Sequence, residues 1–384
     1  MTHFFTLPTK IHLEKGALDD LPALVKTYGN RVFLVTTANR QPLADLYARI
    51  KTQLTEIDCT VYHFDKVQPN PPVDIIEMGI QELQAFKPDL VLSVGGGSSI
   101  DTAKTVALLH DQTNIDWAEL FDQFGDPHGQ YPPVAKKRMP HIAVPTTAGT
   151  GSEVTQAAVL SMGHDKLTIY HPQNRSDHAI LDPMLTLTLP AKLTATTGFD
   201  AFTHAFESYI HPKATPLGKR MSFSAMELIV DALPKLAKHP NDLDLRQKLM
   251  EAQVLAGIGL SNAGADAPHP LSEIIGGISG IPHGESLALI YPEFIHYKWK
   301  YAQADFAAVA RLFDPSLQTE SMAARALAVH IKLFIRKIGL PKGFSAYTIP
   351  KSQWEEIVNS PILGFLPFGS KEDLTDILIQ AKER

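Results

Sequence analysis

The first half of the chain alternates short apolar runs with segments in which apolar residues recur at helical spacing. Segments 41–54 and 73–86 have that helical period and are predicted to be helices. Strands separated by helices indicate βαβ units and a parallel sheet. Four of the apolar runs are predicted to be buried strands, at Arg31–Thr36, Thr60–Phe64, Asp89–Val94 and His141–Pro145.

The pattern changes after Asp182-Pro183, where long helical patterns begin and persist to the C-terminal end of the sequence. We therefore predict an α/β domain over residues 1–185 and an all-helical domain over residues 186–384. The Gly/Pro-rich segment 123–138 is predicted to be an irregular connection between elements of the first domain.

Composition narrows the classes of function. The chain has 384 residues, of which 20% are charged, with a net charge of −6, and no basic stripe that would bind a phosphate backbone. Its single cysteine, Cys59, excludes an internal disulfide framework. The N-terminal residues lack the pattern of a signal peptide, and no apolar run approaches the roughly 20 residues of a membrane span. We expect a soluble, cytoplasmic protein that binds neither nucleic acid nor membrane.

Two glycine-rich loops follow predicted strands. Gly95-Gly96-Gly97-Ser98 leads from a strand into a helix, where glycines allow a diphosphate to approach the backbone and Ser98 can cap the helix. The loop does not match G-x-G-x-x-G, so a tight turn without a ligand is the alternative. Pro145–Glu153 follows another strand, and the carboxyl edge of a parallel sheet is where ligands bind. A Thr/Gly-rich connection without a ligand is the alternative there.

Four residues have the chemistry of one divalent-metal site. Asp200 and His204 are four residues apart, a spacing that stacks both side chains on one face of a helix. His269 and His283 flank a second helical segment. One carboxylate and three imidazoles suit Fe²⁺ or Zn²⁺ and leave positions for a substrate oxygen. Against this, a single histidine is more often a surface or hydrogen-bonded residue than a ligand, and the chain has 16 of them.

Several motifs in one order resemble those of the iron-containing (group III) alcohol dehydrogenases over nearly the full length. The family's G-G-G-S-x-x-D-x-A-K loop is matched at Gly95–Lys104 and its P-T-T-x-G-T-G-S-E loop at Pro145–Glu153. Its G-x-D-A-x-x-H-A-x-E segment is matched at Gly198–Glu207. Pro69-Asn70-Pro71 and Pro282-His283-Gly284 resemble two further family motifs.

The resemblance implies a Rossmann-like N-terminal domain, an all-helical C-terminal domain and a dehydroquinate synthase-like architecture. It also implies NAD or NADP as cofactor, a small alcohol or aldehyde as substrate, and a homodimer or higher homo-oligomer. The implied metal ligands are Asp200, His204, His269 and His283. The implied cofactor contacts are Thr37, Asn70, Gly96, Gly97, Ser98, Asp101, Thr146, Thr147 and Lys166.

The chain departs from the family at two positions. Glu273 stands where many relatives have a histidine, four residues after His269, so it could relay a proton, join the metal ligands or orient His269. A carboxylate that faces solvent or a basic residue is equally compatible with the sequence. Thr37 stands where NAD-preferring relatives often have an aspartate, and Arg40 could pair with a 2′-phosphate. This favours tolerance of NADP, unless Thr37 simply donates to the ribose and Arg40 is solvated.

The expected function is hydride transfer between nicotinamide C4 and a small alcohol or aldehyde polarised by Fe²⁺ or Zn²⁺. A polyol or hydroxy-acid dehydrogenase of the same superfamily is the first alternative. A non-catalytic protein that binds metal and nucleotide is the second. A dehydroquinate synthase-like lyase would need several lysines and arginines near the metal motifs, and these segments lack them.

Overall fold

The computed structural model describes residues 5–129, 131, 134, 138–163 and 165–383. One compact unit is Thr6–Thr188, and a second begins at Leu189. The first unit contains a parallel sheet with helices, and the second is helical in the residues that the structure describes. The α/β and all-α classes predicted from the sequence are thus confirmed.

A six-stranded parallel sheet forms the centre of the first unit, in the order β1-β8-β5-β4-β2-β3. All four predicted strands belong to it. Two further strands, β6 and β7, form a separate antiparallel hairpin that the periodicity did not predict, since Asp165–Tyr170 is short and mostly half-buried. The strands are β1 Lys10–Leu13, β2 Arg31–Thr37, β3 Thr60–Val67, β4 Leu90–Gly95, β5 His141–Pro145, β6 Ala157–Met162, β7 Asp165–Tyr170 and β8 His178–Leu181.

Helices cover both faces of this sheet. On β2, Phe33 and Val35 pack into one hydrophobic core, whereas Val32 and Leu34 pack into the other. Strands that are buried on both faces are almost continuously apolar, which explains the runs of β2, β4 and β5. The strand β3 lies at the edge of the sheet and is mostly half-buried. The helices are α1 Leu21–Lys26, α2 Ala44–Thr55, α3 Val73–Phe86, α4 Gly97–Leu108 and α5 Trp117–Phe124.

The strand order reverses between β2 and β4. The chain passes from β2 outward to β3, returns to β4 on the other side of β2, and continues to β5. Ligands bind open α/β sheets at such a reversal, beyond the carboxyl ends of the strands. The loops after β2 and β4 are therefore placed where a dinucleotide would bind. Of segment 123–138, residues 130, 132, 133 and 135–137 lie outside the described part of the chain, and α5 extends to Phe124.

The second unit is built around one helix that is buried almost all round. Phe199, Phe202 and Phe206 are fully buried on α6, which also carries Asp200 and His204. A helix that is apolar on every side belongs in a core, so its few polar side chains need partners there. The helices are α6 Ala191–Ile210, α7 Pro216–Leu236, α8 Leu243–Ala263, α9 Pro268–Ser279, α10 His283–Lys298, α11 Gln303–Phe313, α12 Glu320–Lys337, α13 Lys351–Val358 and α14 Lys371–Glu383.

The first turn of α10 packs so closely on α6 that only glycine fits at position 284. A Cβ there would lie 2.6 Å from the backbone oxygen of Thr196, an atom that no rotamer change can move away. We predict that Gly284→Ala forces α10 from α6, lowers stability by about 1–3 kcal/mol and lowers the thermal midpoint. The matched control is Gly364→Ala, where a Cβ meets nothing within 4 Å. Equal midpoints for the two variants would contradict the prediction.

Candidate metal centre and nucleotide-binding loops

Three imidazoles converge on one carboxylate oxygen in the second unit. Oδ1 of Asp200 lies 3.7 Å from Nε2 of His204, 3.6 Å from Nε2 of His269 and 3.4 Å from Nε2 of His283. Asp200, His269 and His283 each offer a ligand atom within 4.8 Å of the others. The ring of His204 stacks on that of His269 with centroids 4.4 Å apart. The structure thus brings together all four residues that the sequence singled out.

The elements explain why these residues meet. Asp200 and His204 lie one turn apart on α6, as their spacing predicts. His269 is in the first turn of α9 and His283 is the first residue of α10, so two helix starts point their imidazoles at one face of α6. Side-chain exposure is 8% for Asp200, 11% for His269 and 30% for His283. His283 therefore marks the side of the cluster that is open to solvent or to a ligand.

The electrostatics of the cluster favour a cation. Burial alone would raise the pKa of Asp200, but the three neighbouring imidazoles hold it well below its usual range. Burial lowers the pKa of His269, but the carboxylates of Glu207 and Asp200 outweigh this effect and raise it to about 10. In both cases neighbours of opposite charge favour the charged form of the group.

Two buried atoms of the cluster supply a test of whether a metal fits. Asp200 Oδ1 and His269 Nε2 have no hydrogen-bond partner among the described residues, although both are buried. Such atoms are costly unless something satisfies them, and they face each other at more than hydrogen-bond length. Imidazole nitrogens with a carboxylate oxygen are the ligands that Zn²⁺ and Fe²⁺ prefer. The residues therefore fit a divalent cation.

The outer nitrogens of two imidazoles are held by neighbours that the sequence reasoning did not assign. Nδ1 of His269 lies 2.8 Å from Oε2 of Glu207, and Nδ1 of His283 lies 3.0 Å from Oγ of Ser272. Glu207 follows Asp200 by seven residues and so lies on the same face of α6, a spacing that could have revealed it. Glu273 is half-buried on α9, one turn after His269, and its role stays a prediction.

The first glycine-rich loop lies against the second one. A Cβ on Gly96 would lie 3.2 Å from Cγ2 of Thr147, and one on Gly97 would lie 2.8 Å from Cγ2 of Thr150. The glycines thus let the two loops approach each other as well as a ligand. Thr146 is buried and donates its backbone N–H to the Gly95 oxygen at 2.9 Å.

Helix α4 begins directly after these glycines. Its first residue is Gly97 and its N-cap is Gly96, so the expected capping by Ser98 is wrong: Ser98 already lies inside the first turn. The first amides of a helix have no partner within the helix and attract anions. Because no side chain caps this helix, its first amides can donate to an anion, and a cofactor contact of Ser98 stays a prediction.

Asp101 and Lys104 are buried beneath the loops. The Asp101 carboxylate accepts from the Ser152 hydroxyl and, at 3.1 Å, from the backbone N–H of Val159. The Lys104 ammonium is fully buried and donates to the Ser152 oxygen at 2.9 Å. These bonds fasten α4 to the second loop. A cofactor contact for Asp101 stays a prediction, but the structure gives this carboxylate a definite part in holding the loops together.

A groove lies at the ends of β2 and β3, within the first unit. It is lined by Thr37, Arg40 and Lys66, among others. The Thr37 hydroxyl is 2.9 Å from the hydroxyl of Tyr47, and Lys66 pairs with Glu82. Among the residues that the structure describes, Arg40 makes no ion pair, so its guanidinium is available to a ligand.

The two remaining candidate cofactor contacts lie on other elements of the first unit. Asn70 is exposed in the turn after β3, with a left-handed φ of 51°. Lys166 is half-buried on β7, paired in register with Ser161. The structure tests neither contact with a cofactor, so both stay predictions.

Comparison with known proteins identifies the family of the chain. The family model "Iron-containing alcohol dehydrogenase" matches residues 8–183, and "Fe-containing alcohol dehydrogenase family, C-terminal" matches residues 194–376. The chain belongs to the iron-containing alcohol dehydrogenase family. Its fold is accordingly the dehydroquinate synthase-like architecture that the motifs implied.

Individual relatives cover almost the whole chain. Long-chain-alcohol dehydrogenase 1 of Geobacillus thermodenitrificans is 33% identical over 92% of this chain and 89% of its own. NAD-dependent methanol dehydrogenase of Bacillus methanolicus is 30% identical over 92% of each. The structure of an alcohol dehydrogenase from Oenococcus oeni superposes with a TM-score of 0.90 at 26% identity, covering 99% of this chain and 100% of the other. Within the described residues, every helix is too short or too polar to span a bilayer.

Glu153, in the second loop, is a fully buried carboxyl group. Neither of its side-chain oxygens has a hydrogen-bond partner among the described residues, and burial raises its pKa from 4.5 to about 7. The folded protein therefore keeps a proton that the unfolded chain releases above about pH 4.5. Stability from this group is complete below that pH and is lost as the pH rises through about 7.

We predict that Glu153→Gln, which cannot ionise, raises the thermal midpoint above about pH 7 and leaves it almost unchanged near pH 4.5. The shift in the pKa of Glu153 corresponds to a difference of roughly 3 kcal/mol in the free energy of unfolding at pH values well above 7. Thermal unfolding across this range measures the effect, with Glu56→Gln on the exposed end of α2 as control. A midpoint difference that does not grow with pH would rule out this explanation.

Proposed function

We propose that the protein is a metal-dependent, NAD(P)-linked alcohol dehydrogenase that interconverts small alcohols and aldehydes. The observation that carries the proposal is the cluster of Asp200, His204, His269 and His283. Asp200, His269 and His283 each offer a ligand atom within 4.8 Å of the others, and Nε2 of His204 lies 3.7 Å from Asp200. The cluster is partly open on the His283 side. Membership of the family supports the class of reaction.

The proposed metal ligands are Oδ1 of Asp200 and the Nε2 atoms of the three histidines. A bound Fe²⁺ or Zn²⁺ would supply a Lewis acid for the oxygen of the alcohol or aldehyde. Among the four proposed ligands only Asp200 is negatively charged, so a divalent ion together with these ligands would keep a positive charge that favours an alkoxide oxygen. The buried phenylalanines of α6 behind the ligands exclude water from that side of the cluster.

The proposed cofactor site is in residues 1–185 and the metal site in residues 186–384. The first amides of α4 and the glycines before it would hold a diphosphate, and a nicotinamide would supply or accept the hydride. The groove after β2 would hold the adenosine end, with Thr37 near the ribose. We propose that NADPH is accepted, because Thr37 lacks the charge that repels a 2′-phosphate and Arg40 offers an opposite one.

Reduction of aldehydes should depend on the metal ligands. We predict that the protein loaded with Fe²⁺ or Zn²⁺ oxidises NADH or NADPH with a panel of short-chain aldehydes. His283→Ala should retain less than about 1% of that activity, since a ligand is lost. His296→Ala, an exposed histidine on the same helix, is the control and should behave like the parent protein. Absence of turnover with every aldehyde, or equal rates for the two variants, would contradict the proposal.

Cofactor choice should depend on Arg40. We predict that Arg40→Ala lowers kcat/KM for NADPH by about 10- to 100-fold and leaves kcat/KM for NADH almost unchanged, because only the 2′-phosphate loses a charged partner. Arg49→Ala is the control, since Arg49 is an exposed arginine of α2 that pairs with Asp19 outside the groove. A parent enzyme with a large preference for NADH would refute the proposed tolerance of NADPH.

A further inference from the structure

The hydroxyl of Ser272 determines which nitrogen of His283 carries a proton. This hydroxyl donates its one hydrogen to the backbone oxygen of His269 at 2.7 Å. Towards Nδ1 of His283, 3.0 Å away, it can therefore only accept. Nδ1 must be the protonated nitrogen, which leaves the lone pair of Nε2 directed at Asp200.

Glu207 likewise determines that Nδ1 of His269 carries a proton. Its carboxylate is completely buried, and Oε2 accepts the backbone N–H of Asp266 at 2.8 Å. The same oxygen lies 2.8 Å from Nδ1 of His269, so this nitrogen donates to it. Nε2, which faces Asp200, is therefore the nitrogen that would release its proton and bind when a metal ion enters.

The two contacts come from different helices and act on different imidazoles. Glu207 is on α6, the helix that also supplies Asp200, and Ser272 is on α9, one turn after His269. Ser272 also joins the two histidines, because it bonds the backbone of one and the ring of the other. Displacement of this hydroxyl would release the ring of His283 and alter the start of α9.

We infer that Glu207 and Ser272 are positioning residues that hold His269 and His283 in the Nδ1-protonated tautomer, so that both Nε2 lone pairs are available to one divalent cation. The inference rests on the proposed metal site and adds the groups that prepare it. Hydrogen bonds to the outer nitrogen of a metal-binding histidine commonly change metal affinity by about 10- to 100-fold. Neither residue needs to touch metal or substrate for this effect.

Zinc affinity tests the inference without any measurement of turnover. The dissociation constant for Zn²⁺ is measured by competition with a chelator of known affinity, for the parent protein and for Ser272→Ala. We expect Ser272→Ala to bind Zn²⁺ about 10- to 100-fold more weakly, and Ser272→Thr, which keeps the hydroxyl, to recover most of the affinity. Ser286→Ala is the matched control, because its buried hydroxyl donates to the Ile281 oxygen and, among the described residues, forms no hydrogen bond with a histidine ring.

Glu207→Gln provides a second, independent variant. The amide oxygen can still accept from His269, but its charge is lost, so the affinity should again fall by about tenfold or more. The absorption spectrum of the Co²⁺-loaded protein reports ligand geometry and should change in the Ser272 and Glu207 variants but not in Ser286→Ala.

The outcomes separate the two proposals. A parent protein that binds no Zn²⁺ contradicts the proposed function itself. A parent that binds Zn²⁺, together with Ser272→Ala and Glu207→Gln variants that bind it equally well, overturns the positioning role and leaves the function intact. Thermal midpoints of the metal-free proteins show whether a variant is folded. Should Ser272→Ala not fold, Glu207→Gln alone decides the question.

Discussion

Three imidazole nitrogens that face one carboxylate oxygen repel each other's lone pairs unless a positive charge lies among them. In the second unit these atoms lie beside α6, a helix that is otherwise buried and apolar. Polar atoms without partners are most costly in such surroundings, so the need for a positive charge is strong there. The raised pKa of His269 and the lowered pKa of Asp200 express the same demand for a cation. The close packing of α10 on α6 at Gly284, and the bonds from Glu207 and Ser272, serve to maintain this arrangement.

At the proposed cofactor site of the first unit, backbone amides rather than side chains would bind an anion. Glycines at 96 and 97 bring the two loops together, and the start of α4 offers amides without partners. Asp101 and Lys104, buried beneath the loops, bond to residues of the second loop and so connect it to α4. Contacts within the first unit thus hold the two loops in place.

Much of this could be predicted from the sequence. Apolar runs separated by helical patterns predict the parallel sheet. Helix α3 has the bounds that its sequence predicts, because its apolar residues keep a helical period. Asp200 and His204 were paired by their spacing alone. Periodicity did not show the β6–β7 hairpin, the start of α4 at Gly97 or the roles of Glu207 and Ser272, because these depend on contacts between residues far apart in the chain.

Anomalous diffraction from crystals loaded with Fe²⁺ or Zn²⁺ tests most directly whether four side chains on α6, α9 and α10 bind one cation. We expect a single strong peak at about 2.0–2.3 Å from Oδ1 of Asp200 and from the Nε2 atoms of His204, His269 and His283. A peak held by other residues, or no peak among these four in crystals soaked to saturation, would contradict it.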